Sequence, residues 1–377
     1  MNREAAVLSI LAFVLAYTWV GYPALLWIAC RLFRRAGATG EYLPFVSVIV
    51  PVHNEQSGIA AKLEDCLALN YPRDRLEIIV ASDGSTDATE AIVRQYADRD
   101  PRIRLLKSEC RAGKSGVQNL GVRESRGDLL FLTDANTRTP ANVLRLLSSN
   151  FSDPPVGLVS ATVNFATGSD AVSQGQSLYW RYEYFLRQAE SDIGILATGG
   201  GAAMMIRREL YAPIPPRYGD DCILPLDVRL KGYLVLNDPR AEVFDHPPHS
   251  VAGELRGRIR MTARNWTGTL SRPALLNPLR FPFTALGLIS HKLLRWLTPF
   301  FLLTILALNT ALIFRGVAVG LWTLQFAFYF AAFIGWRRIR RQRPAGIFGH
   351  AFSFCLANAG FLLGMAKVVR NQKIVTY

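Results

Sequence analysis

Acids are scarce relative to bases in this chain, cysteines are few and scattered, and charge is missing from several long stretches. Its 377 residues carry 29 Asp and Glu against 43 Lys and Arg, a formal charge of +14. The five cysteines, Cys30, Cys66, Cys110, Cys222 and Cys355, stand singly with no CxxC pair. That spacing speaks against a disulfide scaffold and a structural zinc site, and it fits a reducing compartment. An excess of positive charge suits nucleic acid, anionic lipid or a phosphorylated substrate. Here much of it lies beside apolar runs, at Arg31, Arg34 and Arg35 and again from Arg337 to Arg343. Membrane proteins mark their cytoplasmic loops in this way, which argues against nucleic acid as a partner.

The charge-free stretches supply the membrane frame. Ala5 to Cys30 holds no charged residue and is long enough to span a bilayer; it is too long, and lacks the cleavage site, for a signal peptide. Trp296 to Phe314, Gly316 to Trp336 and Ala345 to Ala366 are three more such stretches, with Arg315 alone between the first two, which predicts a tight hairpin. Residues 277–295, which mix apolar side chains with His291 and Lys292, read as an amphipathic helix in the membrane interface, or as an early start of the next span. The expected organisation is a membrane helix over 5–30, a domain over 43–270, the interfacial helix and three spans over 296–369. The basic clusters put the middle domain in the cytoplasm of an integral protein of the cell (inner) membrane, in contact with its lipids. The tail from Arg370 would then lie outside.

Between these ends, strands alternate with helices. Val46 to Val52, Leu76 to Ala81, Ile103 to Leu106 and Leu129 to Thr133 are apolar runs separated by helical patterns, as in a mostly parallel α/β sheet. Three of them end in polar clusters, centred on Asn54-Glu55, on Asp83 and on Asp134-Ala135-Asn136. In an open α/β sheet ligands bind beyond the carboxyl ends of the strands. Asp134 and Asn136 together can offer oxygens to a hard cation such as Mg²⁺ or Mn²⁺; taken singly, Asp134 is equally a turn or cap residue. Gly113-Lys114-Ser115 lacks the glycine that a phosphate loop needs at position 108, which is Ser108. Lys114 at a helix start still suits a phosphate, or else is a surface lysine. Downstream, Gly199, Gly200 and Gly201 mark a close backbone approach, and Asp220-Asp221 open a helix as dipole partners or as a general base. Arg256, Arg260 and Arg264 share a helical face that could clamp a diphosphate.

Pro51-Val52-His53-Asn54-Glu55, Ala81-Ser82-Asp83-Gly84-Ser85-Thr86-Asp87, Thr133-Asp134-Ala135-Asn136, Gly199-Gly200-Gly201-Ala202 and Asp220-Asp221-Cys222-Ile223-Leu224 occur in this order. The set resembles family 2 glycosyltransferases, in the membrane-embedded, cellulose-synthase-like branch that includes hyaluronan and poly-N-acetylglucosamine synthases. The resemblance implies a GT-A fold, a UDP-sugar donor, inversion at the anomeric carbon and a Mg²⁺ or Mn²⁺ ion. It implies that Asn54 and Glu55 lie by the uridine and Asp83 at the base or ribose. Lys114 and Arg264 would face the donor, and Asp134 with Asn136 the metal and diphosphate. Asp221 would be the base, with Gly200, Gly201, Asp220 and Trp266 on the acceptor side.

Two departures stand out. The family's Asp-x-Asp is Asp134-Ala135-Asn136 here, one charge fewer. Its Gln-x-x-Arg-Trp is Thr262-Ala263-Arg264-Asn265-Trp266, without the Gln and with Asn265 splitting Arg from Trp. The expected activity is transfer to a growing polysaccharide or glycan, with accessory export proteins as candidate partners. The alternatives are single transfer to a lipid (polyprenyl phosphate, diacylglycerol or ceramide) and a catalytically silent membrane scaffold.

Overall fold

A computed structural model describes residues 3–35, 37, 40–165, 171–245, 250–313 and 319–370. The chain begins with α1 (Arg3–Ala16), which runs through a π-turn at Tyr17–Gly21 into α2 (Tyr22–Phe33). The alternating region follows as β1 (Val46–Val52), α3 (Ile59–Leu67), β2 (Leu76–Ser82), α4 (Thr89–Ala97), β3 (Ile103–Lys107), α5 (Gly113–Arg123), β4 (Leu129–Thr133) and α6 (Val143–Ser149). Then come β5 (Val156–Phe165), α7 (Ala171–Asp192), β6 (Ala203–Arg207), α8 (Asp220–Leu230), β7 (Leu234–Asp245) and α9 (Val251–Leu270). The carboxyl-terminal part is α10 (Pro282–Gly287), α11 (Leu294–Ile313), α12 (Val319–Arg340) and α13 (Ile347–Val369).

The strands form one seven-stranded sheet in the order β3-β2-β1-β4-β6-β5-β7. β1, β2, β3 and β4 pair in parallel, β6 is antiparallel to both of its neighbours, and β7 returns parallel to β5. β1 and β2 are buried along their whole length, which is why they read as unbroken apolar runs. Side-chain alternation then sorts the core. Val46, Val48, Val50 and Val52 face α3, α4 and α6. Ile49, Ile79 and Leu130 pack with Val122 of α5 and Ile223, Leu224 and Val228 of α8. The result is helices on both faces of a sheet.

Strand order reverses between β1 and β4, the place where an open sheet leaves a crevice. Pro51 widens it. The β1–β4 ladder ends at Ile49 and Leu132, and Pro51, which has no N–H to donate, lies just beyond. The two strands part there, and their ends face a common space.

Four helical segments are long and apolar enough to cross a membrane: Arg3–Phe33, Pro282–Ile313, Val319–Arg340 and Ile347–Val369. Phe13, Leu324 and Phe330 project from them, more than half exposed. The separate interfacial helix expected over 277–295 is not separate. α10 passes through a π-turn at Leu288–Leu293 straight into α11, because Pro282 sits in the first turn, where its missing N–H costs nothing. The hairpin expected at Arg315 and the tail beyond Arg370 lie outside the described residues.

α9 is where the two parts lock together. It lies against α13, with Gly360 and Gly364 at the crossing. A Cβ on Gly360 would come within 2.7 Å of the Arg258 Cβ, and one on Gly364 within 2.8 Å of the Thr262 Cβ. Small residues four apart allow this backbone approach. The helix carrying Arg258, Arg260 and Arg264 is thereby fixed against a helix long and apolar enough to cross a membrane.

Candidate active site

A cavity of about 660 Å³ opens at the parted strand ends and continues to the first turns of α11. Its sheet-side wall holds Glu55, Lys114, Asp134, Asp220, Asp221 and Asp245.

Lys114 organises this wall. Its ammonium lies 2.6 Å from Asp134 Oδ1 and 3.0 Å from Asp220 Oδ2, which ties the end of β4 to the start of α8. The two carboxylates raise its pKa further despite burial. Lys114 is held in place from 31 residues upstream. Asp83 is fully buried, and its carboxylate accepts the backbone N–H groups of Ala112 (2.6 Å) and Gly113 (3.0 Å) at the start of α5. Free N–H groups at a helix start attract a carboxylate. Asp83 is not among the cavity-lining residues, and its hydrogen bonds to the start of α5 position Lys114.

Asn54 is also off the cavity wall. It adopts a left-handed backbone (φ 55°), which asparagine tolerates, and its Oδ1 accepts from Thr86 N at 2.8 Å. It therefore shapes the loop after β2. Glu55 does reach the cavity, and burial together with Asp134 and Asp87 pushes its carboxyl up.

Asp134 is pushed upward by burial, opposed by Lys114 and reinforced by Asp220. Asn136 stands beside it on the wall, with its Nδ2 donating to Asp245 Oδ1 at 3.1 Å. Among the described residues no three His, Cys, Asp or Glu converge as a metal centre. The protein donors on offer are the Asp134 and Asp245 carboxylates and the Asn136 amide. A hard cation that keeps waters and takes the remaining ligands from a diphosphate fits such an oxygen-only, incomplete set.

Asp221 faces the same space from the first turn of α8. Its backbone carbonyl accepts from Gly199 N at 2.8 Å, and a Cβ on Gly201 would touch its side chain at 3.4 Å, so the glycine turn is packed directly on it. A Cβ on Gly219 would collide with the carboxylate itself. Burial raises the Asp221 pKa, and Asp220 adds to the rise. Arg264, Lys114 and Asn265 pull it back. Arg264 donates to Ser115 Oγ at 3.3 Å and to the Tyr218 carbonyl, bridging the starts of α5 and α8. Arg260 is at the wall; Arg256 is not among the lining residues.

Gly200 and Gly201 line the cavity, but Trp266 does not. Its ring lies edge-on to Trp296 at 5.8 Å, in the packing of α9 against α11, and Trp296 takes the place at the wall. With Asn265 between them, Arg264 and Trp266 point to nearly opposite sides of α9, about 200° apart round the helix.

Several residues at or behind the site escaped the sequence reading. Asp245 ends β7, a strand that carried no clear alternation. Lys62, 1% exposed, reaches through the core to donate to Thr133 Oγ1, Thr137 O and Thr139 Oγ1, holding the segment after β4. Burial lowers its pKa. Glu183 and Arg187 project from α7 to the cavity, opposite His291, Lys292 and Arg295.

Sheet order, crevice and carboxylate wall together define the GT-A class of fold. In agreement, the structure of the mannosyltransferase PcManGT from Pyrobaculum calidifontis, solved with GDP-Man and Mn²⁺, matches 97% of this chain and 100% of that one, with a TM-score of 0.75 at 22% identity. Residues 47–212 match the family described as Glycosyl transferase family 2, and this part of the chain is a family 2 glycosyltransferase domain. Among curated relatives, an N-acetylglucosaminyltransferase of Rhizobium meliloti is 29% identical over 67% of this chain and 62% of its own length. A beta-monoglucosyldiacylglycerol synthase of Synechocystis is 30% identical over 45% of this chain and 36% of its own. Each match thus spans less than two thirds of the relative.

Proposed function

We propose that this chain is an inverting, divalent-metal-dependent glycosyltransferase. It moves one sugar from a UDP-sugar to the hydroxyl of an acceptor presented at the cytoplasmic face of a membrane. The observation that carries this reading is the single cavity in which Asp221 and the Lys114–Asp134–Asp220 group share a wall, continuous with the first turns of an apolar helix.

The chemistry follows from the groups at that wall. Asp221 accepts the proton of the acceptor hydroxyl, and its raised pKa brings it nearer to the basicity a general base needs. The hydroxyl oxygen bonds to the anomeric carbon while the bond from that carbon to the diphosphate breaks. The electron pair leaves with UDP, and attack from the opposite face inverts the centre. Lys114 and Arg264 offset the charge that develops on the diphosphate. Asp134, Asn136 and Asp245 would hold the Mg²⁺ or Mn²⁺, which as a Lewis acid neutralises the same oxygens.

Of the acceptors expected from the sequence, a membrane lipid is favoured over a growing polysaccharide. Trp266 is packed away from the cavity, and the far wall is made by α7, α9, α11 and α13. The polymer reading draws its support from the ordered motifs that resemble those of polysaccharide synthases. Screening UDP-sugars with Mn²⁺ or Mg²⁺ and sizing the product separates the two: one sugar on lipid against a ladder. Asp221→Asn is expected to lower transfer by about 10³-fold, within the range for a general base, while UDP binding stays nearly unchanged. Unaltered turnover in that variant would remove Asp221 as the base. No turnover of any common UDP-sugar by the native chain would favour the silent scaffold.

A further inference from the structure

Past Asp221 the cavity runs to the junction of α7, α9, α11 and α13, and there its chemistry changes. Four cations, Arg187, Arg258, Lys292 and Arg295, line this part against the carboxylates of Glu183 and Glu254. Glu183 accepts from Lys292 at 2.7 Å and Arg295 at 2.6 Å, and Glu254 from Arg258 at 2.5 Å. Lys292 and Arg295, with His291, outweigh burial and hold the Glu183 carboxyl well below its usual range, so it is fully ionised. Even so, the cations are in excess.

The excess sits on guanidinium groups that are almost fully buried: Arg187 is 6% exposed, Arg258 3% and Arg295 3%. Arg187 Nε and Nη2, Arg258 Nη1, and Arg295 Nε and Nη2 have no hydrogen-bond partner. Arg258 and Arg295 converge on one ring, 4.3 and 5.4 Å from the centroid of Tyr179. Arg187 stands across the glycine turn from Asp221: a Cβ on Gly200 would lie 3.5 Å from Arg187 Nη2, and one on Gly201 3.4 Å from Asp221. Buried charge without a partner is costly, and forked N–H donors match phosphate oxygens.

The geometry points to an acceptor phosphate subsite: Arg187, Arg258 and Arg295 bind the phosphate of a phospholipid whose reacting hydroxyl lies beyond that phosphate, at Asp221. This deepens the transferase reading above and rests on it. The subsite is separate from the donor's. Arg258 and Arg264 are six residues apart on α9, about 9 Å along a helix. It is also reached from the membrane side, since Arg295 belongs to the apolar segment Pro282–Ile313 and Arg258 packs on Gly360 of α13. The phosphate takes no part in bond making. Its neighbouring hydroxyl gives its proton to Asp221 and its oxygen to the anomeric carbon, and UDP departs with the electron pair. A neutral lipid would leave the Arg187 guanidinium and the spare N–H groups of Arg258 and Arg295 unmatched. Two sources share the required chemistry: a lipid-linked sugar diphosphate and phosphatidylglycerol.

The test uses the full chain in a non-ionic polyoxyethylene detergent, with a labelled UDP-sugar it turns over. Polyprenyl diphosphate N-acetylglucosamine, phosphatidylglycerol and diacylglycerol are offered separately. Label is expected on one of the first two, which identifies the source, and not on diacylglycerol. Arg187→Gln is expected to raise the KM for that acceptor about 10- to 100-fold, the worth of a charge-assisted hydrogen bond, with Arg187→Lys recovering part of it. Tm should hold or rise in Arg187→Gln, because the substitution removes a buried charge that has no partner. Transfer to diacylglycerol as efficient as to either phospholipid, or an unchanged acceptor KM in Arg187→Gln, overturns the subsite and leaves the transferase reading standing. UDP-sugar turnover without transfer to any of the three does the same. Absence of turnover altogether overturns both.

Discussion

At the strand ends of the sheet, Glu55, Asp134, Asp220, Asp221 and Asp245 gather around Lys114 and Arg264; at the junction with the membrane helices, Arg187, Arg258, Lys292 and Arg295 gather around Glu183 and Glu254. One cavity joins two ends of opposite electrostatic character. The acidic end suits a ligand that arrives with a divalent cation, and the basic end suits a bare anion. Two anionic substrates entering one cavity could occupy each other's places, and sorted charge opposes that exchange. The two ends also differ in origin. The acidic end is made by loops of the sheet, and the basic end by side chains of long helices, of which α9 is anchored to α13.

The largest expected effect breaks the acidic end alone. Lys114→Met leaves Asp134 and Asp220 facing each other without their shared cation. Transfer should fall about 10²- to 10³-fold, as for loss of one donor that stabilises transition-state charge. The acceptor KM, governed by the other end, should move little. Measuring both constants tests the separation; an equal rise in both would mean that the ends act as one. A smaller effect is expected of Asp220→Asn. Asp221 is held above the usual carboxylate range by burial and by Asp220, and it must be ionised to act as a base. Activity therefore falls as pH drops through that raised pKa. Removing Asp220 lowers it, so the acid limb of kcat/KM should shift to lower pH. A limb that stays or moves upward contradicts this coupling.

The acidic end was largely legible in the sequence, because strand ends in a βαβ series must lie on one edge, and polar residues that stop apolar runs announce themselves. Asp134 was found in this way, Lys114 and Asp221 by their places at helix starts, and the glycine turn by its run of three glycines. Asp83 was visible as a strand-end acid, but only the folded chain shows that it holds the start of α5. Lys62 was invisible: a lysine on an amphipathic helix looks solvated, and nothing local shows that it threads the core to reach Thr133 and Thr139. The basic end was not legible as a site. Its members come from α7, α9, the π-turn before α11 and α11 itself, more than 100 residues apart for Glu183 and Arg295. Arg187 and Arg258 sit at ordinary helical spacing among other charges, so no spacing rule could join them. α10 and α11 were separated in the reading because Pro282, His291 and Lys292 looked like interfacial features, yet His291 is buried between Glu183 and Glu190.

The smallest expected effect sharpens the acidic end. In the family pattern, the position of Asn136 is an acid, and here its amide bridges to Asp245 instead. A neutral ligand leaves Asp134 and Asp245 as the charged donors for the ion. Asn136→Asp would place a third carboxylate there, and metal affinity grows with ligand charge. The metal Kd is expected to tighten a few-fold to about tenfold. Without metal the same variant should be less stable, because the hydrogen bond to Asp245 becomes a like-charge contact. Metal should then raise its Tm more than it raises that of the native chain, as linkage requires when binding is to the folded state. Calorimetric titration with Mn²⁺ and Mg²⁺ reads the first effect, and thermal unfolding with and without metal the second. A titration that does not change, with a lower Tm that metal fails to recover, would mean that Asn136 only braces Asp245 and never meets the ion.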